Sequence, residues 1–289
     1  MSLVSFMGSV EIGLIFALVA LGVWISFRVL NFPDLTADGS FPLGGAVAAV
    51  LIVAGYNPWI ACLAACATGA LAGLLTSWLH VSLGILQLLA SILTMIALYS
   101  INLRIMDAPN VSLLGETTVF TPFVSDENSY WMQSLILLGI VFVVKGLLDW
   151  FFASQIGLAL RATGANARMA CAQGIATGRY TMAGMALSNA LIALAGALYV
   201  QTQGGADISM GIGTIVVGLA AVIIGETLLP SRRLLIVTLA VVMGAVLYRL
   251  FITLALEADF IGLQAQDLNL ITAVLVGVAL VLPKIPPKR

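Results

Sequence analysis

Asp34, Thr36, Asp38 and Ser40 fall within the short stretch DLTADGS, and Asp207 and Ser209 repeat the same acid–apolar–hydroxyl order much later in the chain. Carboxylates and hydroxyls at this spacing cap the free amides of a helix N-terminus. The same groups can line the route of a polar solute, or simply face water at an interface. Catalysis asks for more than they offer. The one histidine, His80, ends an apolar stretch, and no nucleophile or base accompanies it. Cys62 and Cys66 lie four apart on one helical face, and Cys171 stands among alanines. Small buried packing residues explain all three cysteines, and zinc would need three or four clustered ligands. No G-x-x-x-x-G-K-[ST] phosphate loop occurs; Lys145 precedes Gly146, in the wrong order. The expectation is a chain that is not an enzyme, with no metal, no bound cofactor and no nucleic-acid surface.

The elements that carry these residues must suit lipid. Hydrophobic residues make up 61% of the 289, charged residues 9%, and the mean hydropathy is +1.12. Soluble domains carry about 25% charged residues. The long unbroken apolar runs exclude a β-barrel, whose strands alternate over about ten residues. The fold class is therefore all-α, a polytopic transmembrane helical bundle forming a single domain over 1–289. Candidate spans are 8–30, 44–56, 58–80, 84–105, 131–152, 179–201, 213–229, 234–255 and 268–283. That gives nine crossings, or eight if 31–56 is re-entrant.

Arginine and lysine are sorted along the chain. The segment 158–179 has Arg161, Arg168 and Arg179, the 230–233 turn has Arg232 and Arg233, and the tail PKIPPKR adds three more bases. Asp107, Glu116, Asp126, Glu127, Asp207, Glu257, Asp259 and Asp267 collect on the opposite side. By the positive-inside rule the basic segments and the C-terminus are cytoplasmic, and the N-terminus is outside if there are nine spans.

Laying Asp34 on Asp207 without gaps also pairs Leu35 with Ile208, Thr36 with Ser209, Gly45 with Gly218 and Ala48 with Ala221. Such a match is an internal repeat or a chance likeness in glycine–alanine sequence. Interrupted helices in corresponding positions point to a transporter's binding region. Charges within spans are costly and are paired or functional. Lys145 and Asp149 have the spacing of a local pair, and Glu226 lies near Arg232 and Arg233. Arg249, with Tyr248 beside it, either snorkels outward to Glu257 or Asp259 or lines a solute path. The candidate path residues are Asp34, Thr36, Asp38, Ser40, Asp207, Ser209 and Arg249. Gly69 and Gly73 are small-xxx-small helix packing.

The longest basic segment reads LALRATGANARMACAQGIATGR. Asn166 or Gly164 can start a short helix over about 165–173, with Gly174 as its stop. Such a helix lacks bulky apolar anchors for lipid and fits a protein groove better. GLALRATGANARMACAQGI resembles the cytoplasmic motif of ABC importer permeases of the branched-chain amino acid and ribose permease superfamily, close to G-x-A-L-R-A-x-G-x-N-x-x-A-x-x-x-G-I. Gly157, Ala159, Leu160, Arg161, Ala162, Gly164, Asn166, Ala170, Gly174 and Ile175 match. DLTADGSFPLGGA, GLAAVIIGETL, VVMGAVLYRL and DLNLITA are similar to the amino-acid-type branch, though Asn269 stands where a basic residue is expected.

The resemblance implies a permease of a bacterial cytoplasmic (inner) membrane importer. Its motif would form the coupling helix that docks on a separate ABC ATPase subunit, where ATP binds. An extracytoplasmic solute-binding protein and a second permease copy, as a homodimer, complete the assembly. Arg161, Gly164, Asn166 and Gly174 would hold the loop's shape, and Ala167, Arg168 and Met169 would meet the ATPase. The solute would be small, polar and organic, an amino acid before a sugar. The rival is a stand-alone secondary transporter or channel, which would want acids at mid-span; here they lie mostly at span ends.

Overall fold

In the computed structural model residues 3–123, 129–231, 233–257 and 277 are described. The expected span at 268–283, the basic tail, Arg232, Asp126, Glu127, Asp259, Asp267 and Asn269 lie outside them. The side chain of Glu257 is likewise not described.

The described residues form a helical bundle. Seven helical stretches are long and apolar enough to cross a membrane, and one apolar helix is shorter. Helix α1 (Leu3–Trp24) runs into a π-helical turn (Ile25–Val29). The irregular residues 31–35 follow, turned at Asn31 with φ 53°, and lead to α2 (Ala37–Val53). Asn57 caps α3 (Pro58–Val81): its Oδ1 accepts from the Trp59 N–H at 2.9 Å, and Pro58 fits the first turn, where no donor is needed. A tight return leads into α4 (Gln87–Met106), closed by the His80 ring nitrogen Nδ1 hydrogen-bonded to the Ile85 carbonyl at 2.7 Å. His80 also packs edge-on against Phe32. Strand β1 (Asn110–Ser112) and helix α5 (Ser129–Ala153) follow, then α6 (Gln155–Ala165), α7 (Ala167–Ala172) and α8 (Thr177–Gln203). Strand β2 (Gly205–Asp207), a 3₁₀ turn (Ile208–Gly211), α9 (Thr214–Leu228) and α10 (Leu234–Glu257) complete the order.

Helix α8 is the hub, with α3, α2 and α1 packed on it. In lipid there is little hydrophobic drive between helices, so close backbone packing has to supply the contact. Small residues permit it. A Cβ on Gly44 would overlap the Ala193 carbonyl, and one on Gly196 would overlap the Phe41 carbonyl. Gly69 and Gly73 pack on the backbone of Asn189 and Met185, as their spacing implies.

Contacts fix the helix directions. Ser9 meets Thr253 and Gly13 meets Val246, so α1 and α10 are antiparallel. Phe16 lies by Tyr199 and Gly22 by Ser188, so α1 also opposes α8. Helix α3 opposes α8, whereas Ser40 by Asn189 and Gly45 by Val200 make α2 parallel to it. Helix α9 opposes α10, with Gly225 against Ala240 and Gly244 against Ala221. The trio α1–α2–α3 thus runs opposite to the trio α8–α9–α10, an inverted arrangement that agrees with the repeat. One end of the bundle carries α6, α7 and the π-helical turn, and is the basic end. The other carries the antiparallel β1–β2 ribbon, in which Val111 faces Ala206.

Two expectations about boundaries change. Region 31–56 crosses the bundle in two pieces, an irregular segment rising from the basic end and then α2, which starts at residue 37 rather than 44. The helix runs through Pro42, whose missing N–H leaves the Asp38 carbonyl without its intrahelical partner. Gly211 packs against that carbonyl and the proline ring, where any side chain would overlap both. The basic segment is also not one loop with one helix: α6 precedes α7, capped by Ser154, whose Oγ accepts from the Gly157 N–H at 3.3 Å.

Candidate functional site

Asp34 is 1% exposed although it is a carboxylate. It lies level with Asn189, near the middle of α8, and so at mid-depth in the bundle. Burying such a group requires partners, and it has them. The Thr36 N–H donates to Asp34 Oδ1 at 2.9 Å, and Asn189 Nδ2 donates to Oδ2 at 2.8 Å. Asn189 Oδ1 accepts from the Ser40 hydroxyl at 2.7 Å, and the Thr36 and Thr76 hydroxyls share a bond of 2.8 Å. Asp34, Thr36 and Ser40 are therefore brought together, joining α2, α3 and α8.

Asp38 faces the other way. Its Oδ1 accepts from the Ile215 N–H at 2.8 Å and its Oδ2 from the Gly213 N–H at 3.3 Å. These are N-terminal amides of α9, so the first turn of one interrupted helix caps the other. Both helices start inside the bundle, and their positive ends meet.

Asp207 and Ser209 are not part of that meeting. The Ser209 N–H donates to Asp207 Oδ1 at 2.7 Å, and its hydroxyl donates to the same oxygen. Both are exposed or half-exposed at the ribbon end, where the Ile208 N–H also donates to the Pro109 carbonyl at 3.0 Å. They cap only the 3₁₀ turn, because Gly213 at φ 85° breaks the chain before α9 starts. Arg249 also stands apart. Its Cβ lies against Gly13 on α1, and no hydrogen bond or ion pair joins it to the α2 residues among those described.

At the basic end the Asn166 Oδ1 accepts from the Met169 N–H at 3.0 Å and starts α7. The helix stops where expected: Gly174 takes φ 82°, its N–H donating to the Cys171 carbonyl at 2.9 Å, while the Ile175 N–H reaches the Ala170 carbonyl at 3.0 Å. Gly164 packs so closely on the Val29 carbonyl and Leu30 that a Cβ would overlap them. That contact ties α6 to the turn after α1. Ala170 is buried on the inner face of α7, whereas Arg161, Ala167, Arg168 and Met169 are exposed. Nearby, Lys145 and Asp149 form the expected pair at 2.5 Å, with the Thr238 hydroxyl donating to Asp149 at 2.7 Å. Glu226 pairs with Arg28 of the π-helical turn, while Arg232 lies outside the described residues.

Sequence reasoning missed Asn189, Thr76 and Asn102. Each was one of a few polar residues within an apolar span, the one signal it offered. Glu11, half-buried in α1, was missed for the same reason.

Two helices that start in the interior of a membrane bundle are an arrangement that transporters use at their binding regions. Comparison with known proteins agrees. Residues 6–282 match the family described as branched-chain amino acid transport system / permease component, and the chain belongs to it. It is 39% identical over 263 residues to the tyrosine transport system permease protein of Clostridioides difficile (strain R20291), covering 91% of this chain and 86% of that one. It is 34% identical over 276 residues to the uncharacterized protein RP368 of Rickettsia prowazekii (strain Madrid E), covering 94% and 95%. No solved structure matches the chain. The protein is thus a multi-pass membrane permease of the ABC transport class.

Proposed function

We propose that the chain is the permease subunit of an ABC importer that passes an amino acid from an extracytoplasmic solute-binding protein to the cytosol. Membership of the family over residues 6–282 carries this reading. The name of the Clostridioides relative supports an amino acid as solute. The basic end is the cytoplasmic one, as its arginines favour, and the membrane is the bacterial inner membrane. Two copies assemble with two ATPase subunits, and ATP binds to those partners. Helix α7 is the coupling helix: Asn166, Gly164 and Gly174 set its shape, Arg161 flanks it, and Ala167, Arg168 and Met169 present an exposed face to the ATPase. Closure of the ATPases pushes α7, and the Gly164 contact carries the push to the turn between α1 and α2. Ligand-driven closure works only by favouring one of two states, and this contact is where that bias enters.

The test is affinity purification of the tagged permease from its native membrane, followed by solute-stimulated ATPase assays. A stoichiometric ATPase should accompany the wild-type chain. Arg168→Glu should insert normally yet lower stimulated activity by about tenfold or more. A partner-free permease that moves solute in liposomes without ATP would overturn the reading in favour of a stand-alone transporter.

A further inference from the structure

Three helix faces converge at the basic end around a cavity of about 490 Å³. Trp24 and Arg28 come from the end of α1 and its π-helical turn, Leu158 and Arg161 from α6, and Leu234 and Val237 from the start of α10. The spacing explains the convergence, because residues three and four apart share a helix face. The volume lies within the range of small-molecule sites, roughly 300–1,000 Å³.

The lining is sorted by depth. Trp24 packs edge-on against Phe152 just before α6 starts, and near the other end of α6 Gly164 touches the Val29 carbonyl. Helix α6 therefore runs beside the end of α1 toward the basic end, whereas α10 starts there and runs away from it. Trp24, Leu158 and Val237 consequently lie about one turn nearer the middle of the bundle than Arg28, Arg161 and Leu234. Apolar groups form the deep wall, and the two guanidinium groups lie at the shallow one.

The charge there is not balanced. Arg28 donates one Nη2 bond to Glu226, but more than half of its side chain is exposed, and a guanidinium has five N–H donors. Arg161 is exposed and pairs with no acid among the described residues. Glu226 lines a neighbouring cavity, so no carboxylate among the described residues lines this one. Two arginines lining one space repel each other until an anion joins them, and the planar fork of each matches the oxygens of a phosphate. A free phosphate would use only the shallow half of the cavity. A phosphate that carries its own acyl chain uses both halves.

We propose that this cavity holds an anionic phospholipid, its phosphate between Arg28 and Arg161 and the first part of an acyl chain along Trp24, Leu158 and Val237. Basic pockets between membrane helices take such head groups. The lipid ties the turn after α1 to α6 beside the Gly164 contact, and is thus a bound part of that end rather than bulk solvent.

The experiment is native mass spectrometry of the purified, full-length permease in detergent, titrated with dioleoylphosphatidylglycerol, dioleoylphosphatidylcholine and inorganic phosphate. One phosphatidylglycerol should bind about tenfold or more tightly than phosphatidylcholine, and inorganic phosphate at the same concentration should not displace it. Arg161→Gln removes one fork, and Ala162→Trp fills the cavity with both arginines in place. Each should weaken phosphatidylglycerol about tenfold or more. Arg179→Gln makes the same charge change at an exposed residue outside the cavity and should bind as wild type. Thermal unfolding followed in parallel separates a folding defect from a lost site; Arg161 and Ala162 are both exposed, and if one variant unfolds the other carries the test. Equal binding of the two lipids would overturn the proposal, as would wild-type binding in both Arg161→Gln and Ala162→Trp. Equal weakening by Arg179→Gln would overturn it too, since the basic end as a whole would then be the attractor. Displacement by inorganic phosphate would assign the cavity to a free anion, and displacement by a co-purified ATPase to that partner; either result would remove the lipid from it.

Discussion

The starts of α2 and α9 carry the same three-residue motif and share its local geometry. In each, the carboxylate of Asp34 or Asp207 accepts from the N–H two residues on, at 2.9 Å and 2.7 Å. There the likeness ends. Asp34 is buried at mid-depth and tied by Asn189 to α8, while Asp207 sits at the ribbon end and caps its own turn. In α2 the helix follows the motif directly; before α9 the chain breaks at Gly213, and the helix's amides are capped by Asp38 from the other trio. A motif therefore specifies a turn, and the packing around it decides what the turn is for. The first copy became a buried structural centre, the second a surface cap.

If burial makes the difference, the largest effect should come from stripping Asp34 of its partner. Asn189→Ala removes the donor to Asp34 and the acceptor for Ser40, leaving a buried carboxylate short of partners. The expected loss is about 3 kcal/mol, read by thermal or denaturant unfolding in detergent. A loss below that of an ordinary surface substitution would show that water reaches Asp34. Packing comes next. Gly196→Val must push Phe41 and α2 off α8 and should cost about 1–3 kcal/mol. Gly139→Val in α5, where a Cβ would meet nothing, is the control and should change little.

Much of this architecture is legible in the amino-acid sequence. Hydropathy alone locates α3, α4, α5, α8, α9 and α10 to within a few residues, because lipid permits few alternatives to a long apolar helix. The α7 helix is legible too, since Asn166 and Gly174 act locally: one caps the helix, the other supplies the left-handed turn that stops it. Residues whose partners lie far along the chain are not legible. Glu226 has arginines six and seven positions on, yet it meets Arg28, 198 residues away. Asn189 reads only as a polar interruption until α2 is packed on α8. Helix α6 escaped because its small residues give no clear period, and the first turns of α2 because Asp38, Ser40 and Pro42 interrupt the apolar run that marks a span. The two carboxylates show the same limit: Asp34 and Asp38 are four residues apart, yet one meets α8 and the other α9.

The two caps make the finer comparison. Asp38→Ala leaves the Gly213 and Ile215 amides without their side-chain acceptor at the start of an interior helix. Water is scarce there, so the cost should be near the upper end for a lost N-cap, about 2 kcal/mol. Asp207→Ala removes the same kind of bond, but Ser209 is close to water at the ribbon end, which can replace the carboxylate. The expected loss there is about 0.5 kcal/mol, with wild-type assembly and transport. The ratio matters more than either value. If both variants lost stability equally, depth in the bundle would have no bearing on what the motif does, and the division between an interior centre and a surface cap would fail.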